Sequence, residues 1–66
     1  MKVFIQNLYG IKDGRKAYYR KLGDCFDFVG DSKFATDLTQ TEVNTILNHS
    51  DWYMNLFKAD TIGIEK

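Results

Sequence analysis

Proline is absent from this chain, cysteine occurs once, and the formal net charge is zero. The single Cys25 rules out an intrachain disulfide, whereas a secreted domain of this size is normally stapled by two or more bridges. No apolar run approaches the ~20 residues that span a bilayer. The opening Val3-Phe4-Ile5 breaks at Gln6-Asn7, too early for a signal-peptide core. These absences predict a soluble, reduced, cytoplasmic protein with no membrane partner. The missing net charge argues against a strongly basic DNA-coating protein and a strongly acidic DNA mimic. What the chain does contain is apolar: 44% hydrophobic residues, ten aromatics among them, argue against disorder. Its 66 residues predict one domain over 1–66 with a small core.

The zero charge conceals a sorted layout. Residues 1–22 carry six Lys/Arg against Asp13 alone, a balance of +5. Residues 23–66 carry Lys33, Lys58 and Lys66 against eight acidic residues, a balance of −5. Folding can cancel the two blocks or turn them toward different partners, and partial separation is the expectation.

Val3–Leu8 is β-branched and aromatic enough for a strand. Asp13-Gly14 then supplies the positive φ that a tight hairpin requires, and residues 15–21 alternate as a second strand. That alternation places Ala17 and Tyr19 on one face and Lys16, Tyr18 and Arg20 on the other. Cys25–Val29 reads as a third strand, with Phe26 and Phe28 sharing a face opposite Asp27, and residues 34–36 extend it or bridge onward. Thr39 and Glu42 have the spacing of a capping box, flanked by a Leu38/Val43 staple. Val43, Ile46 and Leu47 continue as an apolar stripe to a helix end near Asn48-His49. Ser50 can cap a second start, and the i,i+4 pairs Trp52/Leu56 and Tyr53/Phe57 predict a short helix over 51–58. The same residues also alternate well enough for a strand. Thr61–Glu65 reads as the closing strand. The expected fold is α+β, an antiparallel sheet of three to four strands with one or two helices on one face, in the order β-β-β-α-(α)-β.

Three groups of residues could carry function. Cys25 and His49 can be written as a nucleophile–base dyad, but their spacing matches no nucleophile signature, and a structural Cys with a surface His is the plainer reading. One Cys and one His cannot supply a structural zinc site, and no Gly-rich phosphate loop or Ca²⁺ loop is present, so no catalytic residue, cofactor or metal is expected. Lys12, Arg15, Lys16, Tyr18 and Arg20 combine cations for phosphates with an aromatic for bases, a nucleic-acid-binding pattern. An ordinary strand face guarded by charge has the same composition. Trp52, Tyr53, Leu56 and Phe57 crowd one short segment, and such residues dominate partner interfaces. Trp52 and Leu56 are expected to point inward, leaving Tyr53 or Phe57 at a partner or homodimer surface.

The early hairpin with Tyr18-Tyr19, the capped helix, Asp51-Trp52-Tyr53-Met54 and the closing Thr61-Ile62-Gly63-Ile64-Glu65 resemble, as a set, small accessory proteins of phages and prophages of Gram-positive bacteria. That resemblance implies a non-enzymatic module that occludes a host protein or nucleoprotein complex, as anti-CRISPR proteins do. Residues 13–19 followed by Phe26-Asp27-Phe28 are also similar to a phage inhibitor of uracil-DNA glycosylase, although that inhibitor is acidic and this region is basic.

Overall fold

The structure is a computed structural model and describes residues 1–65; Lys66, counted above with the acidic block, lies outside them. Four strands, β1 (Lys2–Gln6), β2 (Lys16–Leu22), β3 (Cys25–Val29) and β4 (Thr61–Glu65), form one antiparallel sheet in the order β3-β2-β1-β4. Two helices, α1 (Gln40–Asn48) and α2 (Ser50–Phe57), lie between β3 and β4 in sequence. The architecture is α+β, and residues 51–57 are helical rather than extended.

Register explains which residues form the core. Ile5 pairs with Ala17 on one side and Ile62 on the other, and Tyr19 pairs with Phe28. These positions share a face, as the alternation of β2 and β3 requires. Val3, Ile5, Ala17 and Tyr19 from that face are buried with Leu38, Val43 and Ile46 from α1 and its approach. The Thr39/Glu42 capping box forms as the sequence indicates: Glu42 N–H donates to Thr39 Oγ1 at 3.3 Å, and Thr39 N–H to Glu42 Oε1 at 3.0 Å.

Several local expectations are corrected. The first strand ends at Gln6 rather than Leu8, because Asn7 turns left-handed (φ 62°) into a 3₁₀ turn over Leu8–Gly10. Residues 7–15 therefore make a long connection rather than a tight hairpin. It is held by Gly14 N–H donating to Asn7 Oδ1 at 3.0 Å and Asn7 Nδ2 donating to Asp60 Oδ1 at 2.8 Å. The tight turn lies instead between Leu22 and Cys25, where Gly23 (φ 59°) supplies the left-handed residue. Ser50 does not cap α2. It is the first helical residue, and its hydroxyl donates to Leu47 O at 3.1 Å. Leu47 leaves the core stripe and is exposed, outside the cluster that buries Val43 and Ile46.

The segment joining β3 to α1 decides the fate of the second sheet face. Lys2, which alternation directs away from the core, donates from Nζ to Ser32 O at 2.7 Å. Farther along, Thr36 N–H donates to Tyr19 O at 3.3 Å and Leu38 N–H to Met1 O at 2.7 Å. Residues 30–37 thus cross the face opposite the helices and wrap the end of β1.

The charge blocks meet more than they separate. Arg20 Nε donates to Asp27 Oδ1 at 2.9 Å with a second bond from Nη2 to Oδ2, and Lys21 Nζ reaches Glu42 Oε2 at 2.7 Å. Lys21, together with the Thr39 backbone N–H, holds the Glu42 carboxyl at about 2, below its ordinary 4.5. A carboxyl with a lowered folded pKa contributes stability above its unfolded pKa, and the contribution disappears as pH falls through the folded value. Thermal stability is therefore expected to fall between about pH 5 and 2, and Glu42→Gln to flatten that part of the profile. Melting curves of both proteins across this window check it; an unchanged slope in the variant would take Glu42 out of the acid transition.

Candidate functional site

Residues of β2, β3 and α2 assemble a seam of aromatic rings that runs from the core to the surface. Tyr19 is 1% exposed and lies 4.5 Å from the Phe28 ring centroid. Phe28 meets Phe57 at 4.8 Å and Tyr53 at 5.3 Å, both edge to face. Tyr53 in turn meets Trp52 at 4.7 Å, with the rings at 88°. Such tilted pairs put the positive edge of one ring on the negative face of the next, which orders the rings beyond what area burial alone does.

The helix faces are the reverse of the sequence expectation. Tyr53 and Phe57 turn inward against the core cluster, whereas Trp52 is 64% exposed and Leu56 56%. Both pairs have i,i+4 spacing, and neighbouring positions on a helix lie about 100° apart, so a rotation of one residue exchanges them. The rings of Tyr19 and Phe28 select Tyr53 and Phe57 because these extend the edge-to-face seam.

Trp52 and Leu56 lie one turn apart and flank a groove of about 500 Å³, whose walls also include Phe26, Phe28, Tyr53 and Phe57. The groove follows β3, an outermost strand of the sheet. One row of β3 backbone N–H and C=O groups thus lies beside exposed apolar side chains. Phe26 and Phe28 were not singled out from sequence as site residues. Their shared face was visible there, but the edge position of β3 follows from pairing across the whole chain.

A second, smaller cavity of about 230 Å³ lies behind the groove, between the helices and the β2–β3 hairpin. Tyr19, Phe26, Thr45, Ile46, His49 and Tyr53 line it. The Tyr19 hydroxyl is buried and has no hydrogen-bond partner among the described residues. Burial, and secondarily Tyr53, pushes its pKa up to about 12, so it keeps its proton at neutral pH. An unpaired buried hydroxyl costs stability, so Tyr19→Phe is expected to raise the folding free energy by about 1 kcal/mol. Urea titration measures this; a lower midpoint would show that the hydroxyl is satisfied.

The basic residues do not gather into a stacking surface. Tyr18 is buried at 7% exposure with the Phe4 ring 5.6 Å away, and that burial, with Glu65 beside it, raises its pKa. It cannot serve as an exposed base platform. Arg20 is engaged by Asp27, Arg15 lies 3.5 Å from Asp13, and Lys16 Nζ sits 4.4 Å above the Phe4 ring. Lys12 lies in the connection after β1, close enough to lower the pKa of Asp60, whose main influences are Asn7 and Thr61.

The remaining pair is also apart. Alternation from Phe26 and Phe28 turns the exposed Cys25 to the face opposite the helices, whereas His49 caps α1 and lines the cavity on the helix side. Among the described residues no three His, Cys, Asp or Glu side chains form a metal-holding group, and no helix is long and apolar enough to cross a membrane. No known protein family, curated protein or solved structure matches the chain.

Proposed function

We propose that this protein is a non-enzymatic, cytoplasmic binding module that occludes a host protein or defence complex, in the manner of the phage accessory proteins it resembles. The supporting observation is the exposed Trp52–Leu56 pair beside the outer edge of β3. Tryptophan in a groove is the residue type that most often carries interface energy, and an open strand edge offers a partner main-chain hydrogen bonds in register. The contact consists of Trp52 and Leu56, with Tyr53 and Phe57 supporting them from beneath. Binding occludes the partner's surface and needs no chemistry.

The test compares the wild-type chain with Trp52→Ser and Leu56→Ser as bait in lysate of a Gram-positive host. A stoichiometric partner is expected, with recovery reduced about tenfold or more in either variant, while stability changes by about 1 kcal/mol or less. Equal recovery by the variants, or no partner at all, overturns the reading. Binding of DNA or RNA that weakens steeply with salt would transfer the function to the basic residues. A dimer mass by light scattering, lost in Trp52→Ser, would make a second copy the occupant.

A further inference from the structure

We propose that the outer edge of β3 takes one extended segment of the partner as an added strand, in which apolar and basic side chains alternate; this rests on the occlusion reading above. The backbone sets the form of the segment. β3 pairs with β2 alone, and among the described residues no further backbone hydrogen bond reaches residues 25–29. An unpaired row of N–H and C=O groups is satisfied most directly by another extended chain. Alternation sets the pattern, because an added strand continues both faces of its neighbour. Partner side chains beside Phe26 and Phe28 enter the groove that Trp52 and Leu56 flank, where apolar groups lose water-exposed area. The partner side chain between them lies across from Asp27, on the opposite face of the sheet.

Charge sets the sign of that middle side chain. Arg20 donates one bond to each Asp27 carboxylate oxygen. A carboxylate accepts about four hydrogen bonds, so Asp27 keeps acceptor capacity on the edge strand. The hydrogen bond from Arg20 also holds the Asp27 carboxyl below the usual carboxylate range, which keeps it ionised. Asp24, in the turn that begins β3, and Asp51, next to Trp52, are exposed and form no ion pair among the described residues. No Lys or Arg lines the groove. Opposite charges across adjacent strands attract and like charges repel, so a Lys or Arg across from Asp27 is favoured and an acidic residue is rejected. The same rule disfavours a second copy of this chain. Two β3 strands in full antiparallel overlap would set Asp27 against the Asp27 of the other copy.

The experiment titrates the full chain with three capped heptapeptides and follows amide NMR at low ionic strength. One alternates valine and lysine, one alternates valine and glutamate, and the third is the lysine peptide N-methylated at every peptide bond. Saturable shifts are expected over Cys25–Val29 and at Trp52 and Leu56, with the lysine peptide bound about tenfold more tightly than the glutamate peptide. N-methylation is expected to abolish binding, because it removes the donors of the added strand. Asp27→Asn is expected to narrow the affinity ratio to about threefold. Should that variant lose its folded spectrum, Asp24→Asn, in an exposed turn, is expected to narrow the ratio in the same direction. The proposal is overturned by equal affinity for the two charged peptides, by an unchanged ratio in both variants, or by binding that survives N-methylation. It is also overturned by shifts centred on β4, the other outer strand, or by the absence of saturable binding. The two failures are separable: such a result leaves the occlusion reading standing wherever Trp52→Ser still lowers recovery of the host partner.

Discussion

Replacing Ile5 with alanine is expected to remove about 3–4 kcal/mol of folding free energy, the range for large-to-small changes at sites that cannot collapse. Ile5 is fully buried on β1, a strand flanked by β2 and β4, so it cannot relax toward an edge. Its cross-strand neighbour on β2 is Ala17, whose side chain is too short to reach into the space that the substitution leaves. A chain of 66 residues has a total stability of roughly 3–10 kcal/mol at ~0.05–0.15 kcal/mol per residue. The loss is therefore about a third of the whole or more. Urea titration should show the midpoint lowered by at least about a third. A loss below about 1 kcal/mol would mean that the core is looser than the burial of Val3, Ile5, Tyr19 and Val43 implies.

Features encoded within a few residues were legible in the sequence. The Thr39/Glu42 box needs two side chains three positions apart and nothing else, and it forms as read. The third strand occupies Cys25–Val29 as expected, because Gly23-Asp24 and Gly30-Asp31 punctuate both of its ends. Features decided by distant partners were not legible. Asn7 ends β1 because it bonds Gly14 and Asp60 at once, and the second of these lies 53 residues away. Tyr18 was placed on the correct face by alternation, but its burial involves Phe4 of β1 and Glu65 of β4, which leave no local trace in β2.

The orientation of α2 shows the same limit at the site itself. Trp52/Leu56 and Tyr53/Phe57 have identical spacing and similar apolarity, so amphipathic periodicity alone cannot rank them. The choice belongs to Tyr19 and Phe28, which offer ring faces and edges to a tyrosine and a phenylalanine. The sorted charge of the chain met the same kind of distant decision. Arg20 and Lys21, both from the basic block, are paired with Asp27 and Glu42 of the acidic one, so the net zero is partly built into the fold rather than spread over two opposed surfaces.

Gly63 and Phe4 should show a coupling of about 2 kcal/mol in a double-mutant cycle, with a change of sign between backgrounds. They are cross-strand partners between β4 and β1, on the face away from the helices. A Cβ built on Gly63 would lie 2.5 Å from Phe4 Cζ and 3.0 and 3.1 Å from its Cε atoms, so the ring lies over the glycine. Gly63→Ala must therefore displace the ring. Displacement breaks the tilted contact with Tyr18 at 5.6 Å and the position of Lys16 Nζ above the ring at 4.4 Å. Those contacts are worth about 0.5–1.5 and 0.5–1 kcal/mol respectively. Against them stands the gain of about 0.5–1 kcal/mol from removing a flexible glycine from a strand. In the wild-type background the net result is a loss of about 1 kcal/mol. In the Phe4→Ala background no ring is displaced, and the same Gly63→Ala change should stabilise by about 1 kcal/mol. Urea midpoints of the four proteins measure both legs. Equal effects in the two backgrounds would mean that Phe4 does not rest on Gly63.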